Sequence, residues 1–144
     1  MTARNSFHRA RQDGFSLIEL LVVVLIVGAL AAIALPQFLH QQEKGHDSVA
    51  KHDARSVAGE LESCFTEEDD YRLCDSASKL AGADVPIGSA NGEVEVSASA
   101  ARQYVVTAHS RSGTDFLLAR PAGGALARTC TKPGHYGCPT GGSW

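Results

Sequence analysis

From Leu20 to Leu35 the chain carries no polar side chain at all, and beyond that run its hydrophobic period changes. With its flanks counted, Phe15 to Leu39 and Glu19 included, the run is just long enough to cross a bilayer as one helix. Past Pro36 the pattern becomes amphipathic. Ala50, Ala54, Val57, Ala58, Leu61 and Phe65 recur every three or four positions and form one helical stripe, with Lys51, Asp53, Glu60 and Glu62 elsewhere around the helix. Gly45 and Gly59 each weaken that helix by about 1 kcal/mol relative to Ala, so packing has to hold it. A single helix from Phe15 to Phe65 would run roughly 76 Å at the standard rise, far more than a globular helix needs. Its first half has no globular body to bury it, so lipid or further copies of the chain must do so.

The remainder predicts a small sheet. Thr66 to Ser78 is acidic and irregular, with Glu67, Glu68, Asp69 and Asp70 in succession, and Lys79 to Asn91 reads as a connector containing Gly82, Pro86 and Gly88. Glu93 to Val96 then alternates cleanly, placing Val94, Val96 and Ala98 on one face. Arg102 to His109 puts Tyr104, Val106 and Ala108 on one face; Phe116 to Ala119 and Ala125 to Cys130 follow after short turns. Brief polar turns between short strands favour an antiparallel meander, one face of which packs on the helix stripe. The expected fold class is α+β: a long N-terminal helix on about four antiparallel strands. The expected segments are a leader over 1–14, an apolar helix over 15–39, an amphipathic helix over 40–65 and a β domain over 66–144. The tail from Thr131 has no periodicity, and Cys138 is expected to pin it.

Charge and cysteines place these segments. Arg4, Arg9 and Arg11 against Asp13 give residues 1–14 a net charge of +2, which leaves −5 of the formal −3 total for residues 15–144. The positive-inside rule then keeps the leader cytoplasmic and sends the body across the membrane. An acidic body with scattered basic residues argues against nucleic acid as a partner. All four cysteines, Cys64, Cys74, Cys130 and Cys138, fall on the exported side, where disulfides form. Three pairings are open; loop closure favours Cys64–Cys74 with Cys130–Cys138. A crossed pairing such as Cys64–Cys130 is also physically reasonable. Each short loop would contribute somewhat under roughly 3 kcal/mol, which matters in a body with a thin core. The cysteine spacing does not suit structural zinc, and the acidic run lacks the alternate-residue spacing of a calcium loop.

Glu19 is the residue that needs a reason. A charge at membrane depth is costly, about 2.5–3.5 kcal/mol at a helix centre on insertion scales, so it is retained for a partner or a task. Together with the basic leader, the junction Gly14-Phe15-Ser16-Leu17-Ile18-Glu19, Gly28 and Pro36 closely resemble the N-terminus of type IV pilins and the related secretion pseudopilins. The resemblance implies that a prepilin peptidase cuts between Gly14 and Phe15 and methylates the new Phe15 amine. It also implies that Glu19 meets that amine on an adjacent subunit, each charge offsetting the burial of the other. Gly28 and Pro36 match family positions flanking a loosened stretch of helix in filaments. Pro36 removes a backbone donor and crowds the preceding turn, so a kink or unwinding over 32–36 is expected. The body and its Gly-rich, Trp-terminated ending resemble pilins of Gram-positive bacteria, actinobacteria in particular.

The resemblance thus implies a structural subunit, not an enzyme: a helical homopolymer, membrane-anchored in a single pass before assembly, then at the cell surface. Its partners would be other copies of itself, the prepilin peptidase and the pilus assembly machinery, and no cofactor or metal is implied. Two related readings stay open. A type II secretion pseudopilin shares the N-terminus, although residues 131–144 hold no Asp or Glu for the C-terminal calcium site common in that group. A minor competence pilin binding DNA would need a basic patch. An ordinary signal peptide would explain the basic start and the Ala32-Ile33-Ala34 site, but not Glu19 inside the run or the helical pattern continuing past Pro36. No nucleophile elbow, phosphate loop or HExxH helix is present. His40, His46 and His52, spaced by six, fall on separate helix faces. Phe38 and Phe65 read as packing residues.

Overall fold

The computed structural model describes residues 14–144; the basic leader, apart from Gly14, lies outside the described residues. One helix, α1, runs Leu17–Glu68, followed by 3-10 turns at Tyr71–Leu73 and Ala81–Ala83 and by strands β1 (Val94–Ala100), β2 (Gln103–His109), β3 (Asp115–Arg120) and β4 (Ala127–Cys130). The strands form an antiparallel sheet in the order β1-β2-β3-β4. The class is therefore α+β, with one long helix and a four-stranded meander. Contacts divide the chain into two compact units, one ending at Gln37 and the other running Phe38–Trp144.

In the first unit, the amide of Leu20 donates to the Ser16 carbonyl at 3.2 Å, which starts the helix, and Glu19 occupies its first turn. The expected unwinding over 32–36 is not seen, because the helix is continuous through Gly28 and Pro36. Proline costs the ladder one donor at that point, and the flanking bonds carry the turn.

In the second unit the helix stripe and the sheet share one core. Ala54, Val57 and Leu61 are fully buried with Val106 and Phe116, and Val94, Tyr104, Ala108 and Leu118 are nearly so. Alternate burial along β2 and β3 follows from the two-residue period of a strand. Ala50, Ala54 and Ala58 present small side chains to the sheet, so the helix contributes little volume to the core.

The helix ends three residues later than the stripe predicts, at Glu68 rather than Phe65. Asp69 adopts a left-handed φ of 52° and its amide donates to the Phe65 carbonyl at 2.9 Å, a left-handed stop that Asp tolerates better than most residues. The segment expected to be irregular is partly ordered as well. The Asp70 side chain caps the next turn by accepting from the Arg72 amide. Phe65 stacks on Tyr71 with ring centroids 4.3 Å apart, and Cys64 is bonded to Cys74 across that turn. Downstream, the connector lies along β1, with the Val94 amide donating to Pro86 and the Gly88 amide to Val94. The tail is held at several points. Cys138 is bonded to Cys130, the Cys130 amide donates to the Gly142 carbonyl, and the Trp144 indole N–H donates to the Thr129 carbonyl.

Two carboxylates fasten helix to sheet, and the sequence pattern did not mark them. Asp47 is fully buried and accepts from the hydroxyls of Ser110, at 2.7 Å, and Ser112, and from the Gly137 amide at 2.8 Å. It therefore ties the β2–β3 turn and the tail to the helix. Only glycine fits at 137, since a Cβ there would lie 2.7 Å from the Asp47 Cβ. Glu62, expected to lie away from the stripe, instead reaches the sheet. It accepts from the Tyr71 and Tyr104 hydroxyls, both at 2.9 Å, and from Arg120 Nε at 2.7 Å. Lys51, placed off the stripe in the same way, donates to the Gly137 carbonyl and lies over the Phe116 ring.

The Arg120 hydrogen bond, and after it those of the two tyrosines, hold the Glu62 carboxyl below its ordinary range although burial pushes it up. A carboxyl depressed on folding stabilises fully above its unfolded value, near 4.5, and that contribution is lost as pH falls through the folded value. The melting temperature of the protein should therefore exceed that of Glu62→Gln at neutral pH, and the two should converge as the pH falls below the ordinary carboxylate range. A gap that stays constant with pH would show that the carboxylate charge is irrelevant. Leu61→Ala, which opens a cavity at the centre of the layer, should lower unfolding free energy by about 2–5 kcal/mol in denaturant titration.

Candidate functional site

The residues singled out by the sequence lie mostly in the first unit. Gly14, Phe15 and Ser16 precede the helix in non-helical backbone, and all three are exposed, Phe15 at 82%. A Cβ built at Gly14 would meet nothing within 4 Å. Gly14 and Phe15 therefore lie exposed in backbone that is neither helix nor strand. Glu19 follows one turn later and is also exposed.

Between them and Pro36, aliphatic side chains emerge on every side of α1. Leu20, Leu21, Val22, Val23, Val24, Leu25, Ile26 and Val27 are consecutive, and each is exposed by 47% or more. A helix apolar all round belongs in a core or a membrane, not in water. Among the described residues, α1 is the one helix long and apolar enough to cross a membrane. Glu19 is the sole ionisable side chain from Gly14 to Leu39. It also sits where a carboxylate offsets the partial positive charge of a helix start, worth about 0.3–1 kcal/mol. Gly28 leaves open space on its side of the helix. Phe38 remains 66% exposed, whereas Phe65 packs on the body's core.

The structure bonds Cys64 to Cys74 and Cys130 to Cys138, with no free cysteine among the described residues. The first bridge closes the end of α1 and the second closes the tail, so both serve the body. The three helix histidines do not converge: His40 contacts the Tyr136 ring at 5.1 Å, His46 is half-buried and His52 is exposed.

Two grooves flank the body's helix. One, of about 280 Å³, lies on the β1 side and is lined by His46, Asp53, Asp84, Glu93, His109 and Arg111 among others. Burial pushes the Asp53 carboxyl up there. The other, of about 440 Å³, lies on the β3–β4 side and includes Arg55, Glu62, Arg120 and Arg128. Neither brings a nucleophile and a base together. Asp47, Glu62 and the arginines around Glu62 were missed because helical spacing sorts apolar positions and says little about where a long polar side chain bends. The one available signal was the set of partners on the sheet, a tyrosine at an inward strand position and an arginine at a strand end, each needing an acceptor.

The family model for the prokaryotic N-terminal methylation motif matches residues 9–35. The type IV major pilin protein PilA of Myxococcus xanthus is 43% identical over 68 residues, 47% of this chain and 31% of its own length. The type II secretion system core protein G of Pseudomonas aeruginosa is 43% identical over 54 residues, 38% of each chain. A type IV major fimbrial protein FimA of Dichelobacter nodosus is 33% identical over 86 residues, 58% of this chain and 54% of its own. The chain thus spans about a third to a half of the length of these curated relatives. No solved structure matches it. The motif over residues 9–35, the exposed Gly14–Phe15 junction and the apolar helix with its single glutamate agree with one another, and the chain is similar over part of its length both to type IV pilins and to a secretion core protein.

Proposed function

We propose that this chain is a structural subunit of a type IV pilus, made as a precursor, cut between Gly14 and Phe15 by a prepilin peptidase and methylated on the Phe15 amine. Before assembly residues 15–39 anchor it in the membrane in a single pass, with the leader cytoplasmic and the disulfide-bonded body outside. Polymerisation then moves the same segment from lipid into contact with other copies, and the assembly machinery extends the filament from the cell surface. The observation that carries this reading is Glu19: one carboxylate one turn into a helix otherwise exposed and apolar on every face. Within the described residues it has no ion-pair partner. A neighbour's Phe15 amine supplies one of opposite charge at the matching depth. Gly28 and Pro36, continuous helix in the single chain, are the positions where assembly would loosen it, since proline has already removed one bond of the ladder.

A second reading has one observation in its favour. The secretion core protein G match is as close in identity as the pilin match, so the N-terminal segment fits a pseudopilin as well. Immunogold labelling of sheared filaments separates the two, because a pilus extends from the cell and a pseudopilus does not.

Mass analysis of the purified mature protein should find Phe15 as the first residue, carrying one methyl group on its amine. A start at Leu35 would instead establish an ordinary secretory signal.

Glu19→Ala should leave expression and leader cleavage close to normal while surface filaments largely disappear. Magnitude decides between the two roles open to this carboxylate. Support of the helix start is worth under about 1 kcal/mol, whereas stranding a buried amine without its partner costs roughly 3–5 kcal/mol at every added subunit. Sheared filament yield, normalised to total subunit, reads the difference. Wild-type yield from Glu19→Ala would leave the carboxylate with the local role alone.

A further inference from the structure

The body's helix carries opposite charge on its two flanks, each only partly neutralised within the described residues. On the β3–β4 flank, Arg55, Arg120 and Arg128 line the larger groove, and Glu62 is its one carboxylate. Glu62 is already bound to Arg120. Arg55 and Arg128 have no carboxylate partner among the described residues; they lie over the Trp144 ring at 4.9 and 5.7 Å from its centroid. Both are exposed.

The opposite flank is acidic. Asp53 and Asp84 line the β1-side groove, and neither has an ion-pair partner among the described residues. Glu60 is likewise unpaired and lies against the connector, where a Cβ on Gly82 would fall 2.7 Å from its Oε2. Asp84 ends the 3-10 turn of that connector in a left-handed conformation, exposed to solvent. Arg111, His46 and His109 also border this groove, so its excess charge is concentrated toward Asp53, Glu60 and Asp84.

The strand order sets these flanks at opposite edges of the sheet. A two-fold pairing of bodies through either flank would bring like charge to like. Complementarity is satisfied only when the acidic flank of one copy meets the basic flank of the next, a heterologous contact of the kind that builds rings or open filaments. We infer that in the assembled state Asp53, Glu60 and Asp84 of one subunit seat against Arg55 and Arg128 of its neighbour, joining bodies side to side. This rests on the pilin reading and adds to it a contact between bodies, separate from the helix contacts of Phe15 and Glu19. Such a contact sets which copy a subunit accepts beside it and in what orientation.

A charge exchange tests it, with filaments sheared from cells making the full chain. Arg128→Glu and Glu60→Lys should each lower filament yield about tenfold or more, because like charges facing across an interface cost several kcal/mol. The two together restore the attraction with its sign reversed and should bring the yield back near wild type. Arg55→Glu with Asp53→Lys forms a second exchange, in case a change at Arg128 loosens the tail, and melting curves of each variant report on folding. Single variants at wild-type yield, or losses that neither exchange rescues, would overturn the contact and leave the arginine groove to another acidic occupant. Wild-type filaments with indifferent variants remove this contact alone. Cells whose filaments never contain the chain would instead remove the pilin reading, and the contact with it.

Discussion

Aliphatic side chains stand on every side of the helix between Leu17 and Leu35, and no placement of that segment in water keeps them from associating with something. Fully covering one such side chain is worth about 1.5–3 kcal/mol, so the segment as a whole far outweighs the marginal stability of a small domain. On the proposed reading its surroundings, lipid first and other copies later, set the fate of the molecule. Because both media are equally apolar, moving from one to the other releases little hydrophobic free energy. The charge of Glu19 is then the feature that can prefer one environment over the other, since hydrocarbon offers it nothing and an amine offers it a partner.

The body solves a different problem with few resources. Its core sets three alanines, one valine and one leucine of the helix against the inward side chains of the sheet, thin by the standards of larger domains. Polar fasteners compensate at intervals along the helix. Asp47 grips a turn and the tail, Glu62 grips two tyrosines and an arginine, and the Cys64–Cys74 bridge closes the last turns. The two carboxylates act between segments distant in sequence, so together they restrict how the sheet can slide on the helix. Removing one partner from such a cluster leaves buried polar atoms unsatisfied, which is why these residues matter more than their number suggests.

Much of this architecture could be read from periodicity alone. The stripe from Ala50 to Leu61 lies buried as the three-and-four spacing requires, and strand alternation placed Val94, Tyr104, Val106 and Ala108 on the face that proves inward, with Val96 and Ala98 half-buried beside them. Boundaries were less legible, because α1 stops on a left-handed aspartate and not on a break in the apolar pattern. Glu62 illustrates the deeper difficulty. It stands next to Leu61, at the margin of the stripe, where a two-carbon stem can turn either to solvent or inward. Only the tertiary arrangement of Tyr71, Tyr104 and Arg120 decides which. The tail had no period to read, and its order comes from a disulfide, a buried carboxylate and an indole hydrogen bond. In the N-terminal segment the relation was reversed: its motif was plain in the sequence, and its geometry needed only an exposed junction and a helix.

Each margin of the sheet is occupied in part by the chain itself. Pro86 and Gly88 take the Val94 backbone on one side, where β1 also loses regular register between Ser97 and Ala100, and Gly142 and Ser143 lie along Thr129 and Cys130 on the other. A sheet so bordered offers a poor template for strand addition. A fibre of this chain would therefore hold no continuous backbone ladder from subunit to subunit, unlike a cross-β fibril. Each body would remain a closed object within the polymer, free to leave as it came, with its own hydrogen bonds intact.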